Sequence, residues 1–168
     1  NTYKLPLMIT NTMNVFGERQ HPEKFIPSTI KKVLNGETVI IHSDSTKMVS
    51  GSRFYLHARN AAEATLWLLE NVNDFLDIKD ETRGKFNIVG EREVTNLELA
   101  ELIASVLKKP LRYELVDFHS SRPGHDLRYA LEGKKLMEMG FAYPKTFEES
   151  LAKTIQWTVD HPDWLGMK

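Results

Sequence analysis

Apolar and polar positions follow two different periods along this chain, and the switches between them divide it into strands and helices. Leu7-Met8-Ile9-Thr10-Asn11-Thr12, following Pro6, is a short β-favouring run of the kind that suits a buried strand of a parallel sheet. Ser28 to Leu34 places apolar residues at helical spacing; it is entered through Pro22 to Pro27 and stopped by Asn35-Gly36. Thr38 to Ile41 is rich in β-formers and runs into a polar stretch, 43–52, which predicts an exposed loop before a second strand at Phe54 to His57. Ala61, Ala62, Thr65, Leu66, Leu68 and Leu69 form a wide apolar stripe that predicts a packing helix over 58–72. Gly84 and Gly90 bound a further strand. Thr95-Asn96-Leu97-Glu98 has capping-box spacing for a helix through about Lys108, closed by Pro110. Residues 111–118 alternate like a strand, 134–139 predict a short helix, and Thr146-Phe147-Glu148-Glu149 opens a last helix ending near His161-Pro162. Strand and helix interleave, but with connections too irregular for a complete doubly wound sheet, which predicts a small mixed α/β lobe.

Composition narrows the class. At 168 residues the chain is long enough for one domain that buries roughly 70% of its unfolded surface, and 41% hydrophobic with 27% charged residues is ordinary for a globular protein. The 22 basic and 23 acidic side chains nearly cancel, so no net field draws the protein to nucleic acid or to a membrane surface, and any anion must be gripped locally. There is no cysteine, which removes disulfides, thiolate metal sites and a cysteine nucleophile and fits a cytoplasmic location. No apolar run reaches the roughly 18 to 20 residues of a membrane span. The chain opens on Asn1 and enters its first apolar run abruptly, which reads as a start inside something longer.

The densest polar segment is Ser120-Ser121-Arg122-Pro123-Gly124-His125-Asp126-Leu127-Arg128-Tyr129. Arginine offers a planar fork of donors to phosphate oxygens, and a Pro-Gly turn lets backbone approach a ligand, so this is either a diphosphate site or a solvated loop with internal salt bridges. Lys24, between Pro22 and Pro27, is either a phosphate-facing cation held with little freedom or part of a plain helix start. Arg53 either reaches a second phosphate oxygen or covers the strand that follows it. The six histidines form no H-E-x-x-H pair or other close ligand cluster, so no metal is expected, and there is no G-x-S-x-G elbow and no G-x-G-x-x-G dinucleotide fingerprint.

Taken in order, several segments resemble a known family. They are Thr10 to Gly17, Pro22-Glu23-Lys24-Phe25-Ile26-Pro27, Asn35-Gly36-Glu37, Arg53 to Asn60, Gly84 to Gly90 with Thr95-Asn96-Leu97-Glu98, Arg122-Pro123-Gly124-His125-Asp126-Leu127-Arg128-Tyr129-Ala130, and Thr146 to Leu151. Together they resemble the C-terminal half of the dTDP-glucose 4,6-dehydratases, extended short-chain dehydrogenases/reductases, over nearly the whole chain. The resemblance favours the diphosphate reading of the Arg122 loop. It implies that residues 1–18 are a remnant, a single strand of an incomplete Rossmann sheet, and that 19–168 form the sugar-nucleotide-binding lobe. Substrate contacts are implied at Asn14, Lys24, Phe25, His42, Arg53, Asn96, Arg122 and His125, and a contact with the nicotinamide side at Thr12.

The same resemblance implies NAD, bound mainly by an absent N-terminal half, a nucleotide-diphosphate sugar as substrate, a homodimeric parent, and exposed apolar surface near Leu5 to Phe16. The Y-x-x-x-K pair and the glycine-rich NAD loop of the family have no counterpart in these 168 residues, so no catalytic residue is assigned and the piece alone is expected to be inactive. Val15, Glu18 and His42 depart from the family's asparagine, proline and tyrosine, which leaves the base open. Two other readings stand beside the dehydratase: a nucleotide-sugar epimerase or decarboxylase of the same superfamily, and a non-catalytic nucleotide-sugar-binding module.

Overall fold

The structure, a computed structural model, describes residues 7–71, 84–121 and 126–167. Three strand pairs are parallel: β1 (Ile9–Thr12) with β6 (Lys85–Ile88), β2 (Val15–Phe16) with β5 (Leu56–His57), and β3 (Val39–Ser43) with β8 (Tyr113–Asp117). A three-stranded mixed sheet has β4 (Ser52–Phe54) at its centre, antiparallel to β7 (Glu93–Thr95) and parallel to β9 (Arg128–Tyr129). Helices α1 (Phe25–Asn35), α3 (Asn96–Leu107) and α6 (Phe147–Asp160) pack together, while α2 (Ala58–Glu70) and α5 (Lys134–Glu138) share the other side; α4 (Phe118–Ser121) is a single turn. A 3₁₀ turn, Pro162–Leu165, follows α6. This mixed α/β arrangement is the class that the sequence predicts.

Local chemistry explains most boundaries. Beyond α1, Gly36 adopts φ 69°, a left-handed conformation that costs glycine nothing, and the Gly36 and Glu37 N–H groups return to the Val33 and Lys32 carbonyls at 3.2 and 2.8 Å. At α6 the capping box is complete: the Thr146 hydroxyl accepts the Glu149 N–H at 3.2 Å and the Glu149 carboxylate accepts the Thr146 N–H at 3.1 Å. At α3 only half of it forms. Thr95 accepts from the Glu98 N–H at 3.1 Å, but the Glu98 carboxylate is taken by Arg92 at 2.7 Å, and Arg92 also binds Glu148 on α6.

Three expectations are corrected. β1 is parallel but exposed along its whole length, since among the described residues it has a single partner strand; the chain becomes buried only at Met13. Leu7, Ile9 and Val15 leave apolar surface open there. Phe54 to His57 is not one strand but two in different sheets, split at Tyr55, where the Leu56 N–H turns to the Asn14 carbonyl at 3.2 Å. The 43–52 loop is exposed only over 45–49. Asp44 closes it by accepting the Met48 and Val49 N–H groups at 3.1 Å each, and Ser50 and Gly51 are buried.

The main core gathers Phe16, Ile26, Ile30, Leu99, Ile103, Phe147, Leu151 and Ile155 with Tyr55, and full burial of each such aliphatic or phenyl side chain contributes about 1.5–3 kcal/mol. A second cluster, built on Leu68, Phe86, Ile88 and Leu136, lies between α2, β6 and α5. Gly90 lies against the Tyr55 main chain, where a Cβ would run into the Tyr55 carbonyl, so no side chain fits. No helix among the described residues is long and apolar enough to cross a membrane.

Candidate functional site

The β1–α1 connection, the end of β3, the β4 region and the start of α3 surround one open cavity of about 350 Å³. Asn14, Lys24, Phe25, His42, Arg53 and Asn96, six of the residues singled out in the sequence, all line it. Thr12, the last residue of β1, is exposed and is not part of this lining. Arg122 and His125 lie outside the described residues. Val15, Gln20, Ile26, Gly51, Tyr55, Phe118 and Leu127 complete the wall, and no substrate contact is expected of them from the sequence.

The side opened by α1 is built for negative charge. Lys24 is its N-cap, in extended conformation, and makes no side-chain cap, so the first N–H groups of the helix at Phe25 and Ile26 keep their partial positive charge beside the exposed Lys24 amine. All three residues line the cavity. This is the electrostatic pattern of an anion-binding helix start.

Arg53 uses its guanidinium structurally. Its Nη1 donates to the Ser52 and Leu127 carbonyls, both at 2.6 Å, and its Nη2 to the Asp126 carbonyl at 3.0 Å. The arginine thereby ties β4 to the segment at 126–127 while also lining the cavity. Leu127 also accepts the Ser52 N–H at 3.1 Å, and its carbonyl leaves room for no side chain at Gly51. On the far wall His42 meets Phe118 edge-on, ring centres 5.6 Å apart.

Two polar side chains are fixed from within the protein. The Tyr55 hydroxyl donates to Asn96 Oδ1 at 2.7 Å, and burial pushes the Tyr55 phenol well above its ordinary range, so it stays protonated as a donor. Behind Phe16, the buried His57 receives the Arg59 N–H on Nδ1 at 3.2 Å, which puts its proton on Nε2, 3.2 Å from Glu18; Arg59 holds the other Glu18 oxygen at 2.8 Å. Burial pushes His57 below its usual value despite Glu18. For Glu18, burial alone would raise the carboxyl, but its backbone hydrogen bond, His57 and Arg59 outweigh that and lower it.

Residues 1–89 match the family described as the NAD dependent epimerase/dehydratase family. The dTDP-glucose 4,6-dehydratase of Neisseria gonorrhoeae is 36% identical over 95% of this chain, and a trifunctional UDP-glucose 4,6-dehydratase, 3,5-epimerase and reductase of Arabidopsis thaliana is 32% identical over 98% of it. Among solved structures, dTDP-glucose 4,6-dehydratase from Bacillus anthracis in complex with NAD superposes with a TM-score of 0.77 at 30% identity, over 98% of this chain. The chain spans less than half of these proteins: 46% of the Neisseria enzyme, 23% of the Arabidopsis enzyme and 48% of the Bacillus chain.

Proposed function

The chain belongs to the NAD dependent epimerase/dehydratase family, and on that premise we propose that it is the sugar-nucleotide-binding part of a dTDP-glucose 4,6-dehydratase. The parent reaction is the conversion of dTDP-glucose to dTDP-4-keto-6-deoxyglucose and water. The observation that carries this reading is the convergence of Asn14, Lys24, Phe25, His42, Arg53 and Asn96, drawn from segments far apart in the chain, on one cavity with an uncapped helix start in its wall.

In this reading the diphosphate lies against the first turn of α1 and the Lys24 amine, where two negative charges are offset without any net basic charge on the domain. Arg53 shapes the opposite wall by holding 126–127 in place. Phe25, Phe118 and His42 supply flat apolar surface to a base. Tyr55 keeps Asn96 turned so that its amide nitrogen stays near Gly51 and the ligand.

NAD is the cofactor of the family, and its site is expected mainly outside these 168 residues. The sequence has no glycine-rich dinucleotide loop, and the resemblance implies a contact with the nicotinamide side only at Thr12, which lies on exposed β1. No step of the chemistry is therefore assigned to these side chains. The expected division is 1–18 as part of the cofactor-binding half and 19–168 as the lobe that holds the substrate, in a cytoplasmic, dimeric parent.

The test is a calorimetric titration of the 168-residue chain with dTDP-glucose, UDP-glucose, GDP-mannose and NAD. Selective binding of dTDP-glucose, weakened in Arg122→Ala and without binding of NAD, is expected. Preference for UDP-glucose would replace the base assignment. Binding of none of them would overturn the reading, as would 4,6-dehydratase turnover by this chain alone for the assignment of the chemistry elsewhere.

A further inference from the structure

Among the described residues, two cavity-lining side chains carry buried polar atoms with no hydrogen-bond partner: Nδ2 of Asn14, a donor, and Oε1 of Gln20, an acceptor. Buried polar groups are almost always paired, so an unpaired donor and an unpaired acceptor in the same wall are groups waiting for a ligand. Both are held in place before any ligand arrives. The Asn14 main chain is tied to β5 through the Leu56 N–H, at 3.2 Å. Gln20 is clasped twice: its Nε2 donates to the Val15 carbonyl at 3.0 Å, which fixes the amide so that Oε1 is the free end, and its main-chain carbonyl accepts the Trp164 indole N–H at 2.9 Å. Trp164 is itself anchored, because the neighbouring Leu165 is buried in the main core and the Leu165 carbonyl accepts from the Lys31 amine at 2.8 Å.

We infer that Gln20 is a ligand-contacting residue that, with Asn14, reads the hexose of the bound nucleotide sugar, and that Trp164 is its positioning residue. This inference rests on the nucleotide-sugar reading of the cavity. A sugar hydroxyl is both donor and acceptor, so it satisfies both atoms at once, donating to Gln20 Oε1 and accepting from Asn14 Nδ2. The imide edge of a pyrimidine has the same complementarity, but a base also calls for flat apolar surface, which the lining supplies through Phe25, Phe118 and His42 rather than through Asn14 or Gln20.

The experiment compares dTDP-glucose with dTDP on the 168-residue chain and on Gln20→Met, a substitution of similar length without polar atoms, with melting curves to verify folding. Gln20→Met is expected to raise the Kd for dTDP-glucose about tenfold and to leave that for dTDP within about twofold. Trp164→Phe, which keeps an aromatic ring but removes the indole N–H, is expected to weaken dTDP-glucose selectively by a smaller factor. An equal loss for both ligands would assign Gln20 to the base or to the loop and overturn the inference, and so would no loss for either. If the unsubstituted chain binds neither ligand, it is the nucleotide-sugar reading that fails, and this inference with it.

Discussion

The hydroxyl of Tyr55 donates to Oδ1 of Asn96 across 2.7 Å, joining the point where β4 and β5 part to the first residue of α3. The bond matters twice, since Tyr55 is a core residue and Asn96 lines the cavity. Tyr55→Phe keeps the ring and removes the donor. It is expected to cost about 1 kcal/mol of stability and to weaken dTDP-glucose several-fold as Asn96 loses its orientation. Urea unfolding and titration read the two effects separately; unchanged affinity would deny Asn96 a role in binding.

Gly90 lies against the Tyr55 carbonyl too closely for any side chain. Gly90→Ala is expected to lower stability by about 1–3 kcal/mol or more, the range of an overpacked core, because the atom in the way is backbone and cannot swing aside. Since the backbone that must move carries Tyr55, ligand affinity should fall with stability. A melting temperature equal to that of the parent chain would contradict the close approach.

The His57–Glu18 pair gives stability a defined pH response. Burial holds His57 below its ordinary value of 6.5, so from about that pH downward the unfolded chain binds more protons than the folded one, and stability falls as the solution is acidified. Glu18 is lowered from 4.5, so its contribution is complete above that value and is lost at still lower pH. Between pH 8 and 5, urea midpoints of the parent chain should decline, and those of His57→Gln should decline less. Parallel profiles would show that His57 does not carry this linkage.

Thr146 and Glu149 form the complete capping box at the start of α6. Thr146→Ala is expected to cost about 1 kcal/mol, within the 0.5–2 kcal/mol range of such caps, with no change in the denaturant m-value. Thr95→Ala at α3, where Glu98 is engaged by Arg92 instead of returning to the cap, is expected to cost less. Equal losses at the two positions would mean that the reciprocal bond at α6 contributes nothing.

Elements with a local cause were legible in the sequence. The stop after α1 depends on Gly36, and the starts of α3 and α6 depend on Thr95 and Thr146; each acts within a few residues of the chain. The short strands β2, β7 and β9 were not foreseen, because two or three residues carry no period and exist as strands only through partners elsewhere in the fold. The same limit separates the site residues. Lys24 and Arg53 stand out by charge beside prolines and glycines. Gln20 is an unremarkable polar residue until Trp164, distant in sequence and adjacent in space, closes on its carbonyl.

The parallel strand pairs also determine when this cavity exists. Asn11 and Asn87, joined side chain to side chain across β1 and β6, are 76 positions apart, and the β3–β8 pairing spans a comparable distance. Such long closures make folding slow, because chain entropy is lost before the contacts that offset it can form. The wall made by His42, Arg53, Asn96 and Leu127 comes together only as these closures complete, so a ligand of this cavity meets no surface to bind in the early chain. Ligand should therefore lengthen the life of the folded lobe by slowing its unfolding, while leaving the rate at which it first folds unchanged.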